Sequence, residues 1–299
     1  IDLDYYLIKL DSLYSNTPDD FDFKCESVAS YFTAEQVKNA VCQSQLVFPL
    51  IHGEYGEGGE LFRHLNNWNI PYVGCDISIA TQLYNKVSLQ RVLKRLEYAT
   101  VTQLPINVGE INRLEIEQFM TDNKSSSYIV KPQAYGSSIG VYECFTVESI
   151  INKLTVLFDN MNLSQAIIEP KLCGREFTLI VLSDSKLNPV SLIPTEIVKR
   201  NQNDLFDYRK KYLLSENISW LTPPSFSKNV TAKIREQVEH LISEVGQCDY
   251  LRVDGWYSSE GEIYLTDVNP VSGMEQNSFL FHQTSLIGLD HTETIYRLI

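Results

Sequence analysis

Apolar and polar positions change rhythm along the chain, and the changes mark its elements. Leu46-Val-Phe-Pro-Leu-Ile51 is a continuous apolar run that predicts a buried strand. It leads into His52-Gly-Glu-Tyr-Gly-Glu-Gly-Gly59, whose four glycines permit a tight backbone path. Glu60 to Trp68 reads as a helix and Ile70-Pro-Tyr-Val-Gly74 as a short strand and turn. Strand, glycine loop, helix and strand is the order of a parallel sheet that binds ligands at the carboxyl ends of its strands. Ser78 is placed to cap one long helix carrying Ile79, Leu83, Val87 and Leu93, with Lys86 inside it. Residues 1 to 45 mix short apolar runs with turn-rich segments and predict no definite element.

Past residue 127 the pattern becomes antiparallel. Tyr128-Ile-Val-Lys131 reads as a strand, Pro132 to Gly140 as a Gly/Ser-rich tip, and Val141 to Phe145 as the returning strand. Val147 to Phe158 predicts a helix, and Ala166 to Glu169, Glu176 to Leu182 and Val190 to Val198 predict strands. Residues 199 to 222 are charged and aromatic without periodicity. That is long for a bare connection and points to a functional loop. Val230, Ile234, Val238, Leu241 and Val245 define an amphipathic helix. Leu251 to Tyr257 and Glu262 to Val268 alternate as an antiparallel pair joined by Ser258-Ser-Glu-Gly261.

Composition narrows the classes. Of 299 residues 43% are hydrophobic, enough for packed cores, and 38 acidic against 25 basic side chains leave a net charge of −13. That sign argues against nucleic acid or an anionic membrane as partner. No window reaches the ~18 consecutive apolar residues of a membrane span. The six cysteines are scattered, with no CxxC and no zinc spacing, which fits thiols in a reducing cytoplasm.

Four groups of residues carry candidate chemistry. The Gly136-Ser-Ser-Ile-Gly140 tip follows Lys131 and is neither a P-loop nor a dinucleotide fingerprint; it is either a lid over a polyphosphate or an ordinary hairpin turn. On a two-residue period Arg252 shares a face with Asp254, and Asp267 with Asn269. The hairpin therefore gathers two carboxylates, a carboxamide and a guanidinium, as a Mg²⁺ site or as a cross-strand salt bridge. Glu169 and Glu176 flank Pro-Lys-Leu-Cys-Gly-Arg and serve either a nucleotide's ribose and base or the surface. Lys210-Lys211-Tyr212 in the long loop is either a phosphate contact on a lid or a solvated basic patch.

Nine segments in order resemble the ATP-grasp superfamily and, within it, the D-alanine–D-alanine ligase family. They are HGEYGEGG from His52, IPYVG from Ile70, NK at Asn85, IVKPQAYGSSIGV from Ile129, IIEPKLCGREF from Ile167, FDYRKKY from Phe206, RVD from Arg252, IYLTDVNPVSGM from Ile263 and NSF from Asn277. The resemblance implies an α/β chain of the α+β ATP-grasp kind, with an N-terminal parallel-sheet lobe (1–85) followed by two mainly antiparallel lobes (86–176 and 177–299) that clasp ATP. It implies an ATP-dependent ligase that joins two D-alanines through an acyl-phosphate for peptidoglycan precursors in the cytoplasm. Two Mg²⁺ ions, or Mn²⁺ in their place, would be held by Asp254, Asp267 and Asn269. The nucleotide would be held by Lys86, Lys131, Gly136, Ser138, Glu169, Lys171, Leu172, Glu176 and Lys211. Arg252 and the Gly273 N–H would stabilise the oxyanion, and Ser137 and Tyr212 would order the closing loops. His52, Glu57, Ser278 and Phe279 would face the amino acid substrates. The implied partners are small amino acids, with no nucleic acid and no membrane, and the implied assembly is a homodimer.

Three departures from the family pattern stand out. The family's opening strand–loop–helix, with its Glu for the first substrate's ammonium, has no match in residues 1–42. With Ile1 as first residue, either that segment is missing from this chain or the first-substrate site differs. Asp267 stands where the family has Glu. Where the family reads N-T-x-P-G-M, Asn269-Pro-Val-Ser-Gly-Met274 has Pro270 for Thr and Ser272 for Pro beside the second-substrate pocket, and Phe279 stands at an aliphatic position. These changes leave as alternatives a related ligase of secondary metabolism with another amino acid or amine acceptor, or a nucleotide-binding homologue without turnover.

Overall fold

The computed structural model describes residues 5–7, 30–32, 34–135, 139–199, 218–275 and 277–299. The chain divides into two compact units, residues 1–47 with 65–72, and residues 48–64 with 73–299. In the first, β1 (Tyr5–Leu7) pairs antiparallel with β2 (Ser30–Phe32), and α1 (Ala34–Cys42) follows. Val47 and Tyr72 form a parallel bridge in place of the strands expected at 46–51 and 70–74. Pro49 and Pro71 each remove a ladder donor from those runs, which limits how far pairing can extend.

In the second unit, the glycine-rich stretch contains a single helical turn, α2 (Glu54–Glu57). A Cβ on Gly56 would lie 1.7 Å from the Ile51 carbonyl oxygen, so only glycine fits that turn. Helix α3 (Glu60–Asn67) follows, with residues 60–64 in this unit and 65–67 in the first. The long helix expected after Ser78 is two helices, α4 (Ile77–Leu83) and α5 (Lys86–Arg95). Asn85 divides them, because its side chain accepts from Val87 N and Ser88 N and starts a new helix. Ser78 lies inside α4 and donates its hydroxyl to Val245 O instead of capping.

A four-stranded sheet runs β3 (Leu104–Asn107), β6 (Gln165–Pro170), β4 (Tyr128–Pro132), β5 (Tyr142–Cys144), all antiparallel. Period-two alternation splits its faces. Ile106, Tyr128, Val130, Cys144, Ala166 and Ile168 point into a core closed by Ile116 of α6 (Arg113–Asn123) and by Ile150 and Leu154 of α7 (Val147–Thr155). Helix α7 continues as a π-helical turn to Asn160. The register places Ile129, Lys131, Glu143, Ile167 and Glu169 on the opposite face.

A larger antiparallel sheet runs β10 (Ile218–Leu221), β9 (Thr195–Lys199), β7 (Gly174–Ser183), β11 (Tyr250–Ser258), β12 (Ile263–Asn269), with β8 (Pro189–Ser191) also on β7. The single strand expected at 190–198 is therefore two short ones, β8 and β9, parted around Pro194, which has no ladder donor. Helix α8 (Lys228–Val245), capped by Ser227, buries Ile234, Val238 and Leu241 as its spacing predicts and Ile242 beside them, while Val230 and Val245 at its ends are half-buried. Two short helices, α9 (Phe279–Ser285) and α10 (His291–Leu298), finish the chain. Among the described residues no helix is long and apolar enough to cross a membrane.

Candidate active site

The β11–β12 ladder aligns the residues of the candidate metal site. Its register pairs Arg252 with Asn269 and Asp254 with Asp267, then shifts at Gly255. Arg252 donates to Asp254 through Nε at 2.9 Å and Nη2 at 3.0 Å, a fork-to-carboxylate contact. Asp254 also accepts from the Thr178 hydroxyl at 2.7 Å and from Asn269 Nδ2 at 3.2 Å. The salt bridge expected across the strands forms instead along β11, between Arg252 and Asp254, with the other oxygen donors clustered beside it.

Helix α5 brings Lys86 to the same ladder. Gln90, one turn along, donates to Leu265 O of β12 at 3.0 Å and accepts from Val101 N at 2.8 Å, so α5 is fixed against the strand that carries Asp267. Lys86 Nζ then lies 2.9 Å from Asp267 Oδ1 and donates to Tyr135 O at 3.0 Å. On the four-stranded sheet, Lys131 Nζ lies 2.5 Å from Glu169 Oε1, and both side chains are buried. Three cations thus face three carboxylates in one region. Burial would raise the Asp267 carboxyl, but Lys86 and then Lys131 outweigh it and hold it below the usual carboxylate range. Burial pulls the Lys131 ammonium down while Glu169 and Asp267 push it up, and the carboxylates win.

Lys171 lies just past the end of β6, two residues after Glu169, and Glu143 takes up its ammonium with contacts at 2.8 and 2.9 Å, joined by the Ser127 hydroxyl at 2.6 Å. Its side chain is thereby drawn toward β5 at the sheet edge, and its backbone N–H donates to Ser127 O at 3.0 Å. Glu176 sits on β7 opposite Ile197 and Trp256. On the glycine-rich turn Glu57 is buried, accepts from Gly53 N at 2.7 Å and has His52 Nδ1 at 3.9 Å.

Ser278 precedes α9, yet its hydroxyl makes no cap bond; Ser272 and Ser278 Oγ are both buried without a hydrogen-bond partner among the described residues. Orphaned hydroxyls of this kind suit a ligand with complementary groups. Phe279 is buried against Trp220, with ring centroids 4.1 Å apart. Gln283 pins α9 in place by donating to Thr178 O and Thr195 Oγ1 and accepting from Ile180 N. Gly273 lies in the buried turn after β12. Gly136, Ser137, Ser138, Lys211 and Tyr212 fall outside the described residues. Trp220, Thr178, Gln90 and Glu143 were not singled out from sequence, because their importance lies in long-range contacts that no local pattern announces.

The donor chemistry fits a hard cation. Among the described residues no three His, Cys, Asp or Glu side chains cluster as a metal cage. Two carboxylates and a carboxamide beside cationic side chains instead match Mg²⁺, which takes few protein ligands and completes its shell with phosphate and water.

A family model described as "D-ala D-ala ligase C-terminus" matches residues 92–299. The D-alanine–D-alanine ligase of Streptococcus uberis is 28% identical over 259 residues, covering 85% of this chain and 71% of that protein. That of Streptococcus pneumoniae strain CGSP14 is 27% identical over 289 residues, covering 97% of this chain and 78% of the relative. Among solved structures, the VanG D-Ala:D-Ser ligase of Enterococcus faecalis superposes with a TM-score of 0.77 at 20% identity, covering 99% of this chain and 85% of that one. The D-alanine–D-alanine ligase of Coxiella burnetii gives 0.74 at 19% identity, covering 99% and 80%. These likenesses place the fold as ATP-grasp.

Proposed function

The chain belongs to the D-alanine–D-alanine ligase family, and from that premise we propose that it joins two D-alanines at the expense of ATP, supplying a dipeptide for peptidoglycan precursors. The observation that carries the proposal is the β11–β12 register, which aligns Asp254 with Asp267 and Arg252 with Asn269 beside Lys86 and Lys131. Oxygen donors for a cation, two ammonium groups for phosphates and a guanidinium for an oxyanion are what such a ligation needs in one place.

Lys86 and Lys131 bind the phosphates, exchanging their carboxylate partners for phosphate oxygens. Glu169, with the Lys171–Leu172 backbone, takes the base, and Glu176 takes the ribose. Asp254, Asp267 and Asn269 hold two Mg²⁺ ions, or Mn²⁺, which neutralise phosphate charge when bound. A carboxylate oxygen of the first D-alanine forms a bond to the γ-phosphorus, and the bond to ADP breaks. The second D-alanine, having lost an ammonium proton, attacks the acyl carbon through its amine. Arg252 and the Gly273 N–H stabilise the oxyanion, the C–O bond to phosphate then breaks as the nitrogen gives up its second proton to the departing phosphate, and the dipeptide forms. Ser278, with the Phe279 backbone, holds the acceptor's carboxylate, while His52 and Glu57 serve the other substrate from the glycine-rich turn. Loop closure involving Ser137, Tyr212 and Lys211 excludes water from the acyl-phosphate. Three lobes with boundaries near 85 and 176, a homodimer and a cytoplasmic location complete the reading; the thiols of Cys42, Cys144, Cys173 and Cys248, none in a disulfide, support a reducing compartment.

The test is isotopic. D-alanine labelled with ¹⁸O in its carboxylate should deliver one ¹⁸O to the released phosphate. Phosphate that emerges unlabelled while dipeptide accumulates would rule out the acyl-phosphate.

A further inference from the structure

Gln103 lies just before β3, whose register with β6 sets Leu104 opposite Ile168 and, continued by one residue, Gln103 opposite Glu169. By the same alternation it belongs to the sheet face that carries Lys131, Glu143 and Glu169, away from the apolar core. Its Nε2 donates to Glu169 Oε2 at 3.1 Å, while Glu169 Oε1 holds Lys131. A carboxylate only accepts, so the amide NH₂ must face it, and turning the carboxamide over would set oxygen against oxygen. Oε1 is thereby fixed as an acceptor aimed elsewhere. That oxygen is buried and has no hydrogen-bond partner among the described residues. Buried acceptors are rarely left unmet, and this one lies one carboxamide away from the carboxylate assigned to the nucleotide base.

We propose that Gln103 is a base-selecting residue: Oε1 accepts a hydrogen bond from the exocyclic amine of a 6-aminopurine, while Nε2 keeps Glu169 in position. The inference rests on the nucleotide reading above and deepens it. A 6-oxopurine would set a carbonyl oxygen against Oε1, and the fixed amide has no donor to turn toward it.

Steady-state ligation with ATP and with ITP, which differ at position 6 of the base, tests this in the wild-type chain, Gln103→Leu and Gln103→Asn. The wild type should prefer ATP by about tenfold or more in kcat/KM, the usual scale of one well-placed hydrogen bond to a buried partner. Each variant should lose about tenfold more with ATP than with ITP, chiefly through KM, so that the preference collapses. Gln103→Asn keeps a polar group at the sheet edge and covers the case in which the leucine variant does not fold. Equal losses with both nucleotides would show that Gln103 only supports Glu169, and no loss with ATP would show that Oε1 meets no base; either overturns the proposal. A wild-type chain that binds neither nucleotide by calorimetry would instead overturn the nucleotide site itself.

Discussion

Replacing Lys131 with Met removes one partner of a buried ion pair and leaves the other in place. The Lys131 and Glu169 side chains are 9% and 7% exposed, with Nζ 2.5 Å from Oε1, so solvent screening that reduces surface pairs to about 0–1 kcal/mol does not apply. Lys131→Met strands the Glu169 carboxylate with, among the described residues, the Gln103 amide as its hydrogen-bond partner. The expected cost is about 3–5 kcal/mol, a large part of a typical total of about 5–15. Glu169→Gln alone should cost less, because Lys131 keeps the field of Asp267. The double variant leaves no unpaired charge and should be more stable than Lys131→Met by about 1–3 kcal/mol, a coupling that a double-mutant cycle resolves. Urea unfolding of the four nucleotide-free proteins, compared at matched m-values, gives the numbers. Additive effects, with Lys131→Met costing under about 1 kcal/mol, would refute the idea that this pair is desolvated. ATP affinity should fall in Lys131→Met whatever its stability.

Arg252→Ala should lower kcat by about 10²–10³ while ATP affinity stays near wild type, since its oxyanion role arises only in the transition state; loss of ATP binding in calorimetry would contradict that role. Ser278→Ala should raise KM for the acceptor D-alanine by about tenfold and leave KM for ATP unchanged, read from initial rates at saturating donor, because its buried hydroxyl has no partner among the described residues to lose. Burial pushes His282 below its ordinary pKa, so the unfolded chain binds more protons between the folded value and about 6.5. The wild type should therefore hold its full contribution above about pH 6.5 and lose Tm relative to His282→Gln as pH falls from there, whereas parallel Tm profiles between pH 7.5 and 5.5 would contradict it.

Where local chemistry determines structure, the sequence was readable. The alternation of Arg252-Val-Asp254 and Asp267-Val-Asn269 announced the hairpin and the shared face of its polar residues, and the spacing from Val230 to Val245 announced α8. Where two local signals competed, the reading went astray. Apolar spacing from Ile79 to Leu93 favoured one helix, but Asn85 capped a second. The apolar run before the glycine-rich turn favoured a strand, but its proline limited pairing. β3 was not read from the sequence, where Pro105 offers a signal against a strand; it is tolerated there because β3 is an edge strand, where a missing donor costs no ladder bond. The approach of Lys86 to Asp267, the Gln90 strap and the orphaned oxygen of Gln103 depend on segments far apart in the chain and become visible only once the sheets are assembled.

The most direct measurement is phosphate release by the purified chain with ATP and Mg²⁺, with and without D-alanine, alongside the dipeptide formed. Phosphate should appear only with D-alanine, one per D-alanyl-D-alanine, and L-alanine should not replace it. ATP binding without D-alanine-dependent phosphate release, or turnover only with a different acceptor, would contradict the assignment.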